Sequence, residues 1–190
     1  MLDCFVTSIA SYPGNFFDRL SKTRFGSVFA RREFLDQLAP KTIQYPTYEL
    51  CRLIANRLGI KQLIAHESGP FCIDKIYGNL DAKNASLLST SSMASYCYED
   101  GALSSFQRSK ALGLTCVYEL PIGYWRTARR IQSEEAELLP EWADTMPALI
   151  DSDAKVARKD KELQLADAII VASSFTANTL KDAPFELPAP

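Results

Sequence analysis

The sequence predicts an α/β fold: a Rossmann-like three-layer domain with a mainly parallel sheet. Three observations carry that reading. From residue 94 onward, strand-like and helix-like segments alternate, the order that produces a parallel sheet flanked by helices. The run AIIVAS at 168–173 is short and nearly continuously apolar, as suits a parallel strand covered on both faces. Finally, 190 residues with 47% apolar and 23% charged composition provide for one domain with a sizeable core.

The elements follow in order. CFVTSI (4–9) reads as a short strand, closed by a Pro13-Gly14 turn. RREFLDQLA (31–39) reads as a short helix, and TIQYP (42–46) as an extended piece ended by proline. TYELCRLIANRLG (47–59) places Leu50, Leu53, Ile54 and Leu58 on one helical face, with Gly59 as its stop. Residues 71–88 form another helix, with Ile73, Ile76, Tyr77 and Leu80 on a shared face and Gly78 weakening it. ASYCYE (94–99) is a strand. A helix over 100–113 takes Asp100 as its N-cap and Gly113 as its stop. LTCVYEL (114–120) is the next strand. A long helix runs from about Tyr124 to Leu139, with Tyr124, Ala128, Ile131 and Leu138 inward. A charged helix follows over 151–166, then the strand 168–173 and a helix over 174–182. The last residues, 183–190, are proline-rich and linker-like, so the expected domain is 1–182.

Composition excludes several classes. A net charge of -2 and a pI near 5.5 give no footprint for nucleic acid. The longest apolar runs fall far short of a bilayer span, and no signal peptide opens the chain, so a cytoplasmic location is expected. Five cysteines without a CxxC pair read as buried thiols, and no metal spacing occurs, so no metal is expected. The single histidine, His66, excludes any site that needs two. GxSxG, GxGxxG and the P-loop motif are all missing. Asp151-Ser152-Asp153 has the form of a metal-holding DxD, but it opens a charged helix instead of ending a strand, which favours capping.

In parallel α/β sheets, ligands sit beyond the carboxyl ends of the strands. Three strand ends therefore matter: Glu99-Asp100-Gly101, Glu119-Leu120-Pro121 and Ser173-Ser174. The helix after the second end carries its charge in reverse, with Arg126, Arg129 and Arg130 early and Glu134, Glu135 and Glu137 late. A helix favours carboxylates at its start and cations at its end, by roughly 0.3–1 kcal/mol each. Three explanations are open. The cost is small and Arg130–Glu134 is an ordinary i,i+4 pair; an anionic ligand offsets it; or the arginines meet an anionic membrane as a peripheral contact.

YEDGALSSFQRSKALGLTCVYELPIGYWR, followed by DKELQLADAIIVASSFTANTL, resembles the amino-terminal half of a retaining glycosyltransferase of the family 4 type, with the GT-B fold. HESGPFCIDKIY fits the same group. The resemblance covers roughly residues 60–182, and residues 2–60 more loosely. It implies the acceptor-side domain of a hexosyltransferase-type enzyme that moves a sugar from a nucleotide-sugar to an acceptor hydroxyl with retention. No cofactor is implied; the nucleotide-sugar is a co-substrate. It also implies a second, nucleotide-binding domain with a glutamate pair, seven residues between them, which this sequence lacks. The resemblance makes the chain a fragment, short of the first strand and of the second domain, and inactive alone. Glu99 and Asp100 are the catalytic candidates. His66, Glu67, Gly101, Glu119, Arg126, Arg130 and Ser173 are the substrate-binding candidates. The alternatives are a non-catalytic Rossmann-like binding module and the product of a truncated gene.

Overall fold

The computed structural model describes residues 2–23 and 26–188, which divide into two compact units, 1–84 and 85–190. Among the described residues, five strands pair in parallel, in one sheet of two strands and one of three.

In the first unit, β1 (Phe5–Thr7) pairs with β2 (Thr42–Gln44) in the register Phe5–Thr42, Val6–Ile43, Thr7–Gln44. Gly14 takes a left-handed φ of 81° in the turn before α1 (Phe16–Ser21). Asn15 caps α1 by accepting from the Asp18 amide at 2.8 Å. A short α2 (Ser27–Ala30) follows. The helix expected over 31–39 is not formed. Ser11 bridges Glu33 and takes a hydrogen bond from the Phe34 amide, which holds this stretch extended. Only a 3-10 turn, Asp36–Lys41, follows, and it contains Pro40, which has no amide to donate.

Helix α3 (Thr47–Arg57) forms close to its expected span, but with a different inner face. Leu50 and Leu53 pack against the core, whereas Ile54 and Leu58 are 57% and 67% exposed. The helix instead buries Glu49, because Arg32 and Arg52 pair with its carboxylate. α4 (Ile73–Leu87) completes the helices of this part of the chain. The core is small: Ile9, Phe17 and Phe29, with Phe17 and Phe29 stacked at 5.6 Å.

The second unit holds the clearer architecture. β3 (Ala94–Tyr98), β4 (Thr115–Leu120) and β5 (Ala168–Val171) lie in that order, all parallel, with Tyr98 opposite Glu119 and Leu120 opposite Val171. Between them run α5 (Leu103–Leu112), α6 (Trp125–Leu138) and α7 (Asp153–Leu165); α8 (Ser174–Thr179) follows. This is a Rossmann-like α/β arrangement. Cys97, Cys116, Tyr118 and Leu120 form one core with Phe106 of α5 and with Val156 and Leu163 of α7. The other sheet face carries Tyr96, Tyr98 and Ile170, each about half exposed. Within this unit, α5 and α7 both contribute to the core on the face of Cys97, Cys116 and Tyr118, so neither covers the opposite face of β5.

Three further expectations change. Ile131 and Leu138 do not form the inner face of α6; Leu138 is 74% exposed, and Trp125 and Thr127 are buried instead. Ser173 is not part of β5, since its hydroxyl is used at the next helix. Ala183, Phe185 and Leu187, in the segment expected to be linker-like, pack against the core. Asp167 ties the entry of β5 to β4. Its carboxylate accepts from the Cys116 amide at 2.8 Å while its own amide donates to the Cys116 carbonyl at 2.8 Å.

Candidate functional site

The carboxyl end of the three-stranded sheet carries an ionic network built mainly from β3's last turn and one face of α7. The chain leaves β3 through Glu99 and Asp100. The Gly101 amide donates to the Tyr98 carbonyl at 3.2 Å, closing a tight turn. Asp100 adopts φ 71°, a region that short polar side chains tolerate better than most. Arg158 fixes it there, donating to the Asp100 carbonyl at 2.9 Å and to its carboxylate at 2.8 Å.

Asp100 does not cap α5. That helix begins at Leu103 behind Ala102, which has no capping side chain. Glu162, reaching from α7, supplies the missing acceptor. It takes hydrogen bonds from the Ala102 amide at 3.5 Å, the Asp100 amide at 3.2 Å and the Tyr118 hydroxyl at 3.1 Å, and pairs with Arg158 at 2.8 Å. A carboxylate at a helix start is favoured by the helix dipole. Glu162 is also fully buried, and burial pushes its pKa up to about 7, with the Arg158 charge opposing.

Glu99 is 5% exposed, with one carboxylate oxygen 2.5 Å from the Lys159 ammonium. Burial raises its pKa, Lys159 opposes the rise, and the charges of Asp100 and Asp151 add to it. Lys159 in turn lies 4.8 Å from the centre of the Trp125 ring and 3.9 Å from Asp151. Lys155 pairs with Asp151 at 3.0 Å and Asp100 at 3.7 Å. Beside them, Asp160 accepts from the Tyr124 hydroxyl at 2.9 Å, the Trp125 indole at 2.8 Å and the Arg126 guanidinium at 3.0 Å. Burial, then the hydrogen bond to Asp160, holds the Tyr124 hydroxyl well above its ordinary value.

The candidates from sequence thus fall into separate groups. Glu99, Asp100 and Gly101 meet Lys155, Arg158, Lys159 and Glu162. Arg126 joins the same side through Asp160 and Trp125 and remains 46% exposed at its side chain. Arg130 pairs with Glu134 at 3.1 Å and Asp182 at 3.7 Å. Glu119 lies on the sheet face opposite the core, where it accepts from the Tyr96 hydroxyl at 2.7 Å. That bond, more than burial, raises the Tyr96 pKa to about 12. Ser173 caps α8, accepting from the Thr176 amide at 3.2 Å. Ser152 likewise caps α7, accepting from the Lys155 amide at 3.1 Å.

His66 and Glu67 belong to the first unit. Glu67 has φ 54°, and the Ser68 amide donates to the His66 carbonyl at 2.6 Å. Gly69 completes this turn where a Cβ would stand 2.6 Å from the Ala65 nitrogen, so no larger residue fits. The His66 imidazole lies 3.3 Å from Glu67 and 4.0 Å from Asp74.

Sequence reasoning missed Lys155, Lys159, Asp160 and Glu162. A signal was present. α7 has few apolar residues for a helix beside a sheet, and Lys155, Lys159 and Leu163 recur at four-residue spacing, which places them on one face. No family model matches the chain, and no curated protein or solved structure is significantly similar to it.

Proposed function

We propose that the chain carries the acceptor-side domain of a retaining glycosyltransferase of the family 4 type. The observation that supports this reading best is spatial. The two stretches that carry the sequence resemblance fold as consecutive strands and helices around one parallel sheet, with their carboxyl ends side by side. In the proposed reaction, an acceptor hydroxyl oxygen bonds to the sugar's anomeric carbon as the bond to the nucleoside diphosphate breaks. The hydroxyl proton passes to a base. Asp100 serves at the acceptor, since its carboxylate reaches solvent more than that of Glu99. Glu99 acts as a positioning residue, holding Lys159 beside Trp125. Arg126 offers its exposed edge to an anionic group on the acceptor or at a membrane surface.

The test uses the coding region together with the reading frame on either side. Nucleoside diphosphate release is measured over a panel of nucleotide-sugars and acceptors. Transfer that falls at least 100-fold in Asp100→Asn with unchanged folding supports the reading. Absence of release across the panel, or full activity in Asp100→Asn, overturns it. A second reading, a non-catalytic binding module, is favoured by the burial of Glu99 and Glu162, which are both engaged in holding the fold.

A further inference from the structure

The first unit contains a cavity of about 390 Å³ lined by Ser27, Val28, Arg31 and Arg32. Its volume falls in the range of small-molecule sites, roughly 300–1,000 Å³. Two arginines and a serine are among these lining residues, and no acidic residue is.

The charge around Arg32 is organised from behind. Its guanidinium donates to the Ser8 hydroxyl at 3.3 Å and pairs with Glu49. Glu49 is 2% exposed and is shared with Arg52, which forks onto both carboxylate oxygens at 2.8 Å. Burial pushes the Glu49 pKa up, but the hydrogen bonds and charges of Arg52 and Arg32 outweigh it and leave the group below its ordinary value. Glu49 therefore stays ionised at neutral pH, and one negative charge faces two guanidinium groups. Arg31 adds a third and has no charged partner among the described residues.

The result is an arginine fixed by Glu49, an arginine with no charged partner among the described residues, and a serine, all lining a solvent-open space. Guanidinium groups bind phosphate oxygens in pairs with good geometry. Ser27 and Arg31 are exposed and Val28 is 39% exposed, so a ligand reaches the site without unfolding the unit. We propose that this cavity binds a phosphate group, with Arg31 and the Ser27 hydroxyl making the ligand contacts and Arg32 held in place by Glu49. The inference does not depend on the glycosyltransferase reading, and its test has no sugar-transfer readout.

The probe is inorganic pyrophosphate, titrated into the full chain at low ionic strength by calorimetry. The same protein is also sedimented with vesicles of phosphatidylcholine alone or with 30% phosphatidylglycerol. Arg31→Gln and Ser27→Ala serve as variants, because neither residue takes part in the Glu49 cluster. Saturable pyrophosphate binding that weakens about tenfold in Arg31→Gln, severalfold in Ser27→Ala, and falls with added salt supports the site. If such binding occurs without vesicle binding, the phosphate is on a soluble ligand. Vesicle binding that needs the anionic lipid, is lost in Arg31→Gln and is competed by pyrophosphate assigns a lipid phosphate. No saturable binding to either probe, or equal binding in Arg31→Gln, overturns the proposal. Circular dichroism of the variants, expected to match the parent, keeps misfolding apart from loss of a contact.

Discussion

Glu162 makes the second unit lose stability as the pH rises from the acid range to neutrality. Its carboxyl has an ordinary pKa of 4.5 and a folded value of about 7, raised first by burial. The folded state therefore holds the proton over a range where the unfolded chain releases it. The stabilisation is complete below pH 4.5 and is lost as the pH rises through 7. The gap corresponds to about 3 kcal/mol, an order-of-magnitude figure. Glu99, also raised, adds with the same sign. Asp167, lowered by its bonds to Lys110 and the Cys116 amide, works in the opposite sense, but only at more acidic pH. Urea unfolding read by Trp125 fluorescence reports on this unit, since Trp125 is 4% exposed within it. Stability should fall by a few kcal/mol, spread between about pH 5 and 7, and level off above that. In Glu162→Gln, which keeps an acceptor but cannot titrate, the fall should shrink to what Glu99 leaves. A stability that rises with pH, or an unchanged slope in Glu162→Gln, refutes the reasoning.

Two further predictions concern stability of the same unit. Asp160→Ala leaves the Tyr124 hydroxyl, the Trp125 indole and the Arg126 guanidinium without their common acceptor, so it should cost about 3–5 kcal/mol and weaken the near-ultraviolet circular dichroism of the aromatic pair. Unchanged urea midpoints would show that the cluster carries no stability. Gly113 ends α5 in the left-handed region at φ 72° with open space around it, so Gly113→Ala should cost about 1 kcal/mol through backbone strain alone. A neutral midpoint in thermal melting would contradict that origin.

The second unit was the more legible in sequence because its elements are long and its stops are local. Gly113 ends α5 by backbone conformation, and AIIV needs only its apolar run to read as a strand. In the first unit the strands are three residues each, and the stretch 31–39 has helical propensity that a bridge to Ser11 overrides. The inner face of α3 was misread for a related reason. Apolar periodicity points to Ile54 and Leu58, but an ion-paired Glu49 turns inward, and no pattern of apolar residues announces a buried carboxylate.

The reversed charges of α6 show the same division. The order of arginines and glutamates, and its cost against the helix dipole, is a property of the sequence alone. The local pair Arg130–Glu134 is formed, as the sequence allows, but the partners of the other two arginines are remote: Asp160 on Arg126 and Asp153 on Arg129. Likewise, the sequence by itself determined that residues 94–179 would form a parallel α/β unit and that Glu99, Asp100 and Gly101 would stand at a strand end. Only the tertiary structure decided that Glu162 caps α5 from another helix and that Lys159 neutralises Glu99. Periodicity is read between near neighbours in the chain, whereas a buried charge is stable only beside a partner, and the partner of Glu99 is Lys159, far along the chain.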